Sequence, residues 1–175
     1  MGPTILSKFR RMLYDSEQTF SLHDEIGTFK AAEINLKLKD ETPFYIRPYP
    51  VSEAQKLLID KELEKLRLLG VLEYGKGSHV SPMLLIKKPD RGQRLCADLR
   101  FLNTKVSPLH YITPLLRDAL QTIGASRASV MSTIDIKHAF YSLQIHPSSR
   151  RFLTIAPYPG ARTMQYKRLT QGLNT

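Results

Sequence analysis

The sequence predicts an α+β fold, and three observations carry that expectation. Several short apolar runs alternate with a period of two, as half-buried strands do. Only two stretches combine a period near 3.6 with helix-stop chemistry. The elements follow one another as ββα, β, ββ with unequal helices, which does not suit a regularly alternating α/β fold.

Residues 1–30 show weak periodicity, scattered charge and no clear cap, and they read as a leader or linker. In residues 32–38, Ile34, Leu36 and Leu38 alternate with Asn35 and Lys37, the pattern of a half-buried strand. Residues 42–50 contain Pro43, Pro48 and Pro50 and must run extended, since proline offers no donor to a central ladder. The clearest helix follows. Ser52 is placed to cap it, Gln55 completes a capping box, and Gly70 suits its stop. Leu58, Ile59, Leu63, Leu66 and Leu69 form its apolar stripe, while Lys56, Lys61, Glu62 and Lys65 mostly fill the other face. This helix reads as scaffold.

Residues 71–74 form a short strand, and the turn Gly75-Lys76-Gly77-Ser78 leads to a second strand, residues 83–88, ending in Lys87 and Lys88. Pro89-Asp90-Arg91-Gly92 carries turn chemistry, and residues 94–100 return as the other arm of a hairpin. Lys87, Lys88, Arg91 and Arg94 therefore gather near one hairpin tip. A solvated basic turn accounts for such a cluster in the ordinary case. A phosphate clamp is the functional alternative, with cations from both strands meeting one anion. Thr113 and Pro114 start a second helix that Gly124 ends. Residues 152–156 and 163–167 read as two more strands joined through Pro157-Tyr158-Pro159-Gly160, and Gln171-Gly172 follows just after.

Residues 132–146 hold the most informative pattern. A strand here puts Val130, Ser132, Ile134 and Ile136 on one face, with Met131, Thr133 and Asp135 on the other. Asp135 is then a carboxylate at the end of an apolar strand, with Phe140 and Tyr141 as an aromatic pair in the turn beyond. That arrangement suits a metal ion and a flat or sugar-like ligand. It equally suits an Asp that caps the next turn, and this stretch alone favours the cap.

Composition sets outer bounds. The 175 residues are 42% hydrophobic, enough for one good core in one or two lobes. No apolar run approaches the roughly 20 residues of a membrane helix, and the N-terminus lacks a signal-peptide block. Cys96 is the only cysteine, which excludes a disulfide within the chain and argues against a cysteine-based zinc site. A reducing intracellular compartment, cytoplasmic or nuclear, is the default. His79, His110, His138 and His146 share no metal-ligand spacing and read as structural or exposed. Tyr158 and Tyr166 suit a sheet face better than base stacking. Residues 1–75 carry 11 Lys/Arg against 12 Asp/Glu, whereas residues 76–175 carry 15 against 4, a net of +11 in the second part. Such a lopsided excess is the footprint of a polyanion, most often nucleic acid.

Four stretches then acquire a common meaning: SPMLLIKK, RLCADLRFLN, STIDIKHAFYSLQI and QGLNT. In this order and at this spacing they resemble reverse transcriptases of LTR retrotransposons, especially the gypsy type, and their retroviral relatives, from about Asp40 to Thr175. The resemblance implies a right-hand polymerase: fingers plus a partial palm, an antiparallel sheet packed on helices, truncated before the second catalytic hairpin. Residues 1–38 would be leader or linker with a candidate strand at 32–38, residues 39–125 fingers, and residues 126–175 partial palm. By resemblance, Asp135 is the first catalytic aspartate, holding Mg²⁺ (two ions in the complete enzyme, Mn²⁺ as a substitute) with the backbone carbonyl of Ile136. Phe140 is the steric gate under the incoming sugar. Lys88 and Arg94 grip the triphosphate, Gln171 and Gly172 pack on the nucleotide, and Asp98 with Arg100 lies near the template. The implied partners are an RNA or DNA template-primer, dNTPs and the remainder of a Pol polyprotein (the rest of the palm, thumb and RNase H), with no membrane.

The chain departs from the pattern at Pro89, which leaves both Lys87 and Lys88 as phosphate candidates, at Leu99, where an aromatic is common, and at Phe140, which replaces a tyrosine. The aromatic-x-Asp-Asp motif is expected beyond Thr175, so the 175 residues read as the front half of an active site and as inactive alone. A non-catalytic nucleic-acid-binding remnant or domesticated module is the alternative, and a poorly folded gene remnant is a third. For Asp98 the competing reading is an ion pair with Arg100 or Arg94.

Overall fold

The longest strand, β4 (His79–Lys87), is the spine of the sheet, and its two halves have different partners. A computed structural model of the chain describes residues 3–17, 25–87, 93–107 and 112–174. The first half of β4 runs parallel to β2 (Phe44–Tyr45) and to β7 (Thr154–Ala156). Its second half pairs antiparallel with β5 (Gln93–Ala97), from Met83 opposite Ala97 to Lys87 opposite Gln93. Pro82, which has no amide to donate, sits where the partners change, and its carbonyl accepts the Asp98 N–H at 2.8 Å. The order is β2-β4-β7-β8-β3, with β3 (Leu72–Tyr74) and β8 (Met164–Tyr166) antiparallel to each other.

The α+β class holds, but the sheet is mixed rather than antiparallel. Long crossovers carry the chain from β2 to β4 and from β4 to β7, so each pair runs the same way, as such connections require. Two of the antiparallel pairs, β4 with β5 and β7 with β8, are joined by shorter local links, while the third, β3 with β8, brings together strands far apart in sequence. A separate two-stranded parallel ladder joins β1 (Glu33–Ile34) to β6 (Gln144–Ile145). The strand expected over 32–38 is thus only two residues long, although Leu36 is buried and Leu38 bridges Val106.

Helix α2 (Glu53–Leu68) has the expected capping box between Ser52 and Gln55, and Gly70 follows it with φ +69°. It buries Ile59, Leu63 and Leu66 in a core shared with Leu72, Leu102, Ile155, Met164 and Tyr166. Leu58 stays 46% exposed instead of joining that stripe. The core thus mixes residues of 39–125 with residues of 126–175.

Four expectations need correction. The strand over 94–100 ends at Ala97, and Arg100–Lys105 is a helix, α3. The break falls at Asp98, whose carboxylate accepts from the backbone N–H of Arg100 and from its side chain, a local turn bond that competes with a continued ladder. Helix α4 (Leu116–Ala125) starts later than Pro114 and carries Gly124 inside it; glycine weakens a helix interior but does not forbid it. In the expected linker, Pro3–Asp15 is a helix, α1, whose Ile5, Phe9 and Met12 fall at helical spacing although all three are at least half exposed. Finally, residues 130–136 form no strand. Val130, Met131, Ile134 and Ile136 are between 69% and 89% exposed, and no described strand pairs with them. An extended segment without a ladder partner leaves its amides to water and its apolar face uncovered.

Candidate functional site

One cavity draws together residues that are far apart in sequence. It encloses about 460 Å³, within the range of small-molecule sites. One wall is the polar edge of α2, with Glu62, Lys65 and the apolar Leu66 and Leu69; another is β5, with Arg94 and Cys96. The floor is the turn after the 130–136 segment, and Thr170 with Gln171 closes one side. Ile26, from the N-terminal segment, completes the rim.

The floor is shaped by local backbone geometry. His138 has φ +55°, uncommon for a residue with a Cβ, and its ring stacks on Tyr141 at 6.1 Å between centroids. The turn at 140–142 follows at once, closed by Ser142 and Leu143 N–H groups donating back to His138 and Phe140. Phe140 is thereby left 46% exposed at the cavity, while Tyr141 packs toward the core. Burial pushes the Tyr141 hydroxyl above its usual range, and does the same to the Cys96 thiol despite the nearby Arg94.

Of the residues singled out from sequence, Arg94, Phe140 and Gln171 line this cavity together, and so does Ile136. Gly172 stands just outside, with φ +88° and its carbonyl accepting from Asn103 Nδ2 at 2.7 Å. Asp135 is exposed and is not among the lining residues, although its neighbour Ile136 is. Lys88, with the turn at 89–92, lies outside the described residues. Asp98 and Arg100 form a separate unit. Asp98 is 8% exposed and accepts from Arg100 Nε at 2.8 Å and Nη2 at 2.7 Å, and from the Tyr49 hydroxyl at 2.9 Å. Arg100 leads the causes that hold the Asp98 carboxyl well below the usual carboxylate range. The ion-pair reading of Asp98 is therefore what the fold displays, with Arg100 itself 82% exposed.

Lys65, Glu62, His138 and Ile26 were not singled out from sequence as cavity residues. Glu62 and Lys65 lie on the polar face of a helix, a pattern that says only that the face is not buried.

The metal fit is partial. Asp135 and the Ile136 carbonyl offer two oxygen donors of the kind Mg²⁺ takes. Among the described residues, no group of three or more His, Cys, Asp or Glu could hold an ion. No described helix is long and apolar enough to cross a membrane.

No protein-family profile matches the chain. It is 30% identical over 112 residues to the Gag-Pol polyprotein of koala retrovirus, and 32% identical over 110 residues to that of gibbon ape leukemia virus. These stretches take in 63% and 62% of the chain but only 7% and 6% of the polyproteins. Its fold is similar to the foamy viral protease-reverse transcriptase in complex with RNA/DNA hybrid, at TM-score 0.77 and 20% identity, over 99% of this chain and 23% of that one. The dsDNA complex of that enzyme gives TM-score 0.72 over 99% of this chain. The chain thus shares homology with retroviral Gag-Pol polyproteins and has a mixed α+β fold resembling a retroviral Pol enzyme.

Proposed function

We infer that the chain is the fingers and first palm portion of a reverse transcriptase of an LTR retroelement, gypsy type or retroviral, and that its 460 Å³ cavity receives the incoming dNTP. One observation carries this reading: three residues assigned from separate motifs, Arg94, Phe140 and Gln171, line the same cavity. Arg94, exposed on β5, supplies a guanidinium for the triphosphate, where cations offset charge developing during phosphoryl transfer. Phe140 presents its ring to the sugar, where a ribose 2′-OH would clash, and Gln171 packs on the nucleotide. Lys88, the residue that follows β4 in sequence, is assigned as a second cation for the phosphates, and Gly172 gives the turn its left-handed geometry.

The chemistry is attack of a primer 3′-hydroxyl on the α-phosphorus, with pyrophosphate leaving. Mg²⁺, or Mn²⁺ in its place, supplies charge neutralisation for both oxygens when bound. Asp135 and the Ile136 carbonyl would hold the ion from this chain, and further carboxylates of a longer Pol polypeptide, with its thumb and RNase H, would complete the shell. The net +11 of residues 76–175 suits a template-primer held through its phosphates, with Asp98 and Arg100 near the template strand. The exposed position of Asp135, outside the cavity, supports a second reading in which the chain binds nucleic acid and nucleotide without catalysis.

Equilibrium dialysis of labelled dTTP, with a recessed template-primer and Mg²⁺ present, tests the reading. Saturable binding by wild type that Arg94→Ala removes is the expected result. Binding that is absent, or indifferent to Arg94→Ala, overturns it. Primer extension by the 175-residue chain should not occur on the catalytic reading of an incomplete shell.

A further inference from the structure

Arg168 takes no part in the function described so far, yet its guanidinium is placed against the cavity floor. Nη1 donates to the carbonyl of Tyr141 at 2.9 Å and to the carbonyl of Gly27 at 2.9 Å, while Nη2 donates to Thr28 Oγ1 at 3.2 Å. Tyr141 directly follows Phe140, and Gln171 comes three residues after Arg168. The backbone reinforces this bracket. Leu169 N–H donates to the Leu143 carbonyl at 2.9 Å, and Phe29 N–H to the Ser142 carbonyl at 2.8 Å.

Three pieces of the cavity meet at this one side chain: the Phe140 turn, the segment after β8 that leads to Gln171, and the N-terminal strap that carries Ile26. The choice of arginine is informative. Among the described residues no carboxylate pairs with it, so a partly buried cation is satisfied only by neutral oxygens. Taking a cation partly out of water carries a desolvation penalty, which the neutral acceptors described here offset only in part. What a guanidinium adds over an ammonium is a rigid, planar fork of donors that fixes several acceptors relative to one another. The acceptors fixed here are carbonyls of the turn and the strap.

We propose that Arg168 is a positioning residue for the sugar-discriminating floor of the nucleotide cavity, acting through the Tyr141 carbonyl to set the height of the Phe140 ring and through Gly27 and Thr28 to hold the strap closed against it. This rests on the dNTP reading of the cavity. Loosening the fork lets Phe140 retreat, which makes room for a 2′-hydroxyl. The effect is on discrimination more than on affinity for dTTP, because Arg94 and Gln171 are untouched.

The test is competition dialysis of dTTP against UTP on the 175-residue chain with template-primer, for wild type, Phe140→Ala, Arg168→Lys and Thr28→Val, beside a thermal melt of each. Arg168→Lys keeps the charge and loses the fork. Its dTTP/UTP preference is expected to fall about fivefold or more toward that of Phe140→Ala, the size of effect that goes with a lost hydrogen-bonded support. Thr28→Val removes a single exposed contact and is expected to lower the preference about twofold with the melt unchanged. It decides the matter if Arg168→Lys does not fold. A wild-type ratio in both variants, with only the melt of Arg168→Lys lowered, shows Arg168 to be merely structural and overturns the proposal. Preference lost in Phe140→Ala but kept in the other two variants sinks this inference and leaves the nucleotide reading standing. Absence of dTTP binding by wild type removes both.

Discussion

Replacing Asp98 with alanine separates what that carboxylate does for the fold from what it does for function. The side chain is 8% exposed and accepts four hydrogen bonds, from Arg100 N (3.3 Å), Nε (2.8 Å) and Nη2 (2.7 Å) and from the Tyr49 hydroxyl (2.9 Å). Breaking a fully buried ion pair strands a charge and costs about 3–5 kcal/mol. Here the partner is not stranded, because Arg100 is 82% exposed and regains water when released. What remains is the net worth of a bidentate, charge-assisted pair and one hydroxyl bond, about 2 kcal/mol. For a chain of this size that corresponds to a fall of about 4–8 °C in Tm. The folded-state pKa of Asp98 is depressed, so its contribution is complete above the ordinary carboxylate value of 3.8 and is lost as pH falls below it. Thermal melts of wild type and Asp98→Ala, followed by circular dichroism at neutral pH and at acid pH, check this. The difference is expected to shrink in acid. A neutral-pH difference below about 0.5 kcal/mol, the noise of ordinary surface changes, or one that does not change with pH, would refute the reasoning.

Three further predictions follow from the packing. Gly77→Ala places a Cβ into Thr154 Oγ1 and the Arg151 carbonyl, so a loss of about 3 kcal/mol is expected, whereas Gly75→Ala meets only the flexible Gln165 side chain and should lose less in the same melt. His79 is 1% exposed between the rings of Phe44 and Phe152; burial, helped by Lys105 and Arg151, lowers its pKa against a weaker pull from Glu41 and Asp40. The unfolded chain then takes the proton first, so stability should be full above the ordinary value of 6.5 and decline as pH drops below it, and His79→Phe should remove that part of the decline. Ile134→Lys, at a site 89% exposed, should leave the melt within about 0.5 kcal/mol of wild type. The same change should reduce concentration-dependent association in sedimentation runs, and a marked loss of stability would show that Ile134 is covered in solution.

Much of the local structure was legible because its causes are local. The capping box of Ser52 and Gln55, the turn residues between the paired strands β4 and β5, and the Gly70 stop each rest on residues a few positions apart. Residues 130–136 were misread as a strand because alternation reports suitability for a ladder, while a ladder also needs a partner. The mixed sheet was misjudged for a related reason: the direction of β7 relative to β4 depends on a long crossover, which no pattern within either strand records. Of the residues lining the cavity, Arg94, Phe140 and Gln171 stand in motifs that the sequence singles out. Lys65 and Ile26 do not, and nor does Arg168 behind the Tyr141 carbonyl, since each comes to the cavity or its lining only through tertiary approach, and their own surroundings in sequence look like an ordinary helix face, a loop and the segment after a strand.

The central claim is that a nucleotide occupies the cavity between α2, β5 and the Phe140 turn, and the chain carries its own reporter. Cys96 is the only thiol, lies in that wall, and is partly accessible. The rate of its alkylation at mildly alkaline pH, where the raised thiol pKa still permits reaction, can be followed with and without dTTP in the presence of template-primer and Mg²⁺. The account predicts that dTTP slows alkylation in a saturable way, and that it does not in Arg94→Ala. Saturable dTTP binding that leaves the Cys96 rate unchanged would place the nucleotide elsewhere and contradict it.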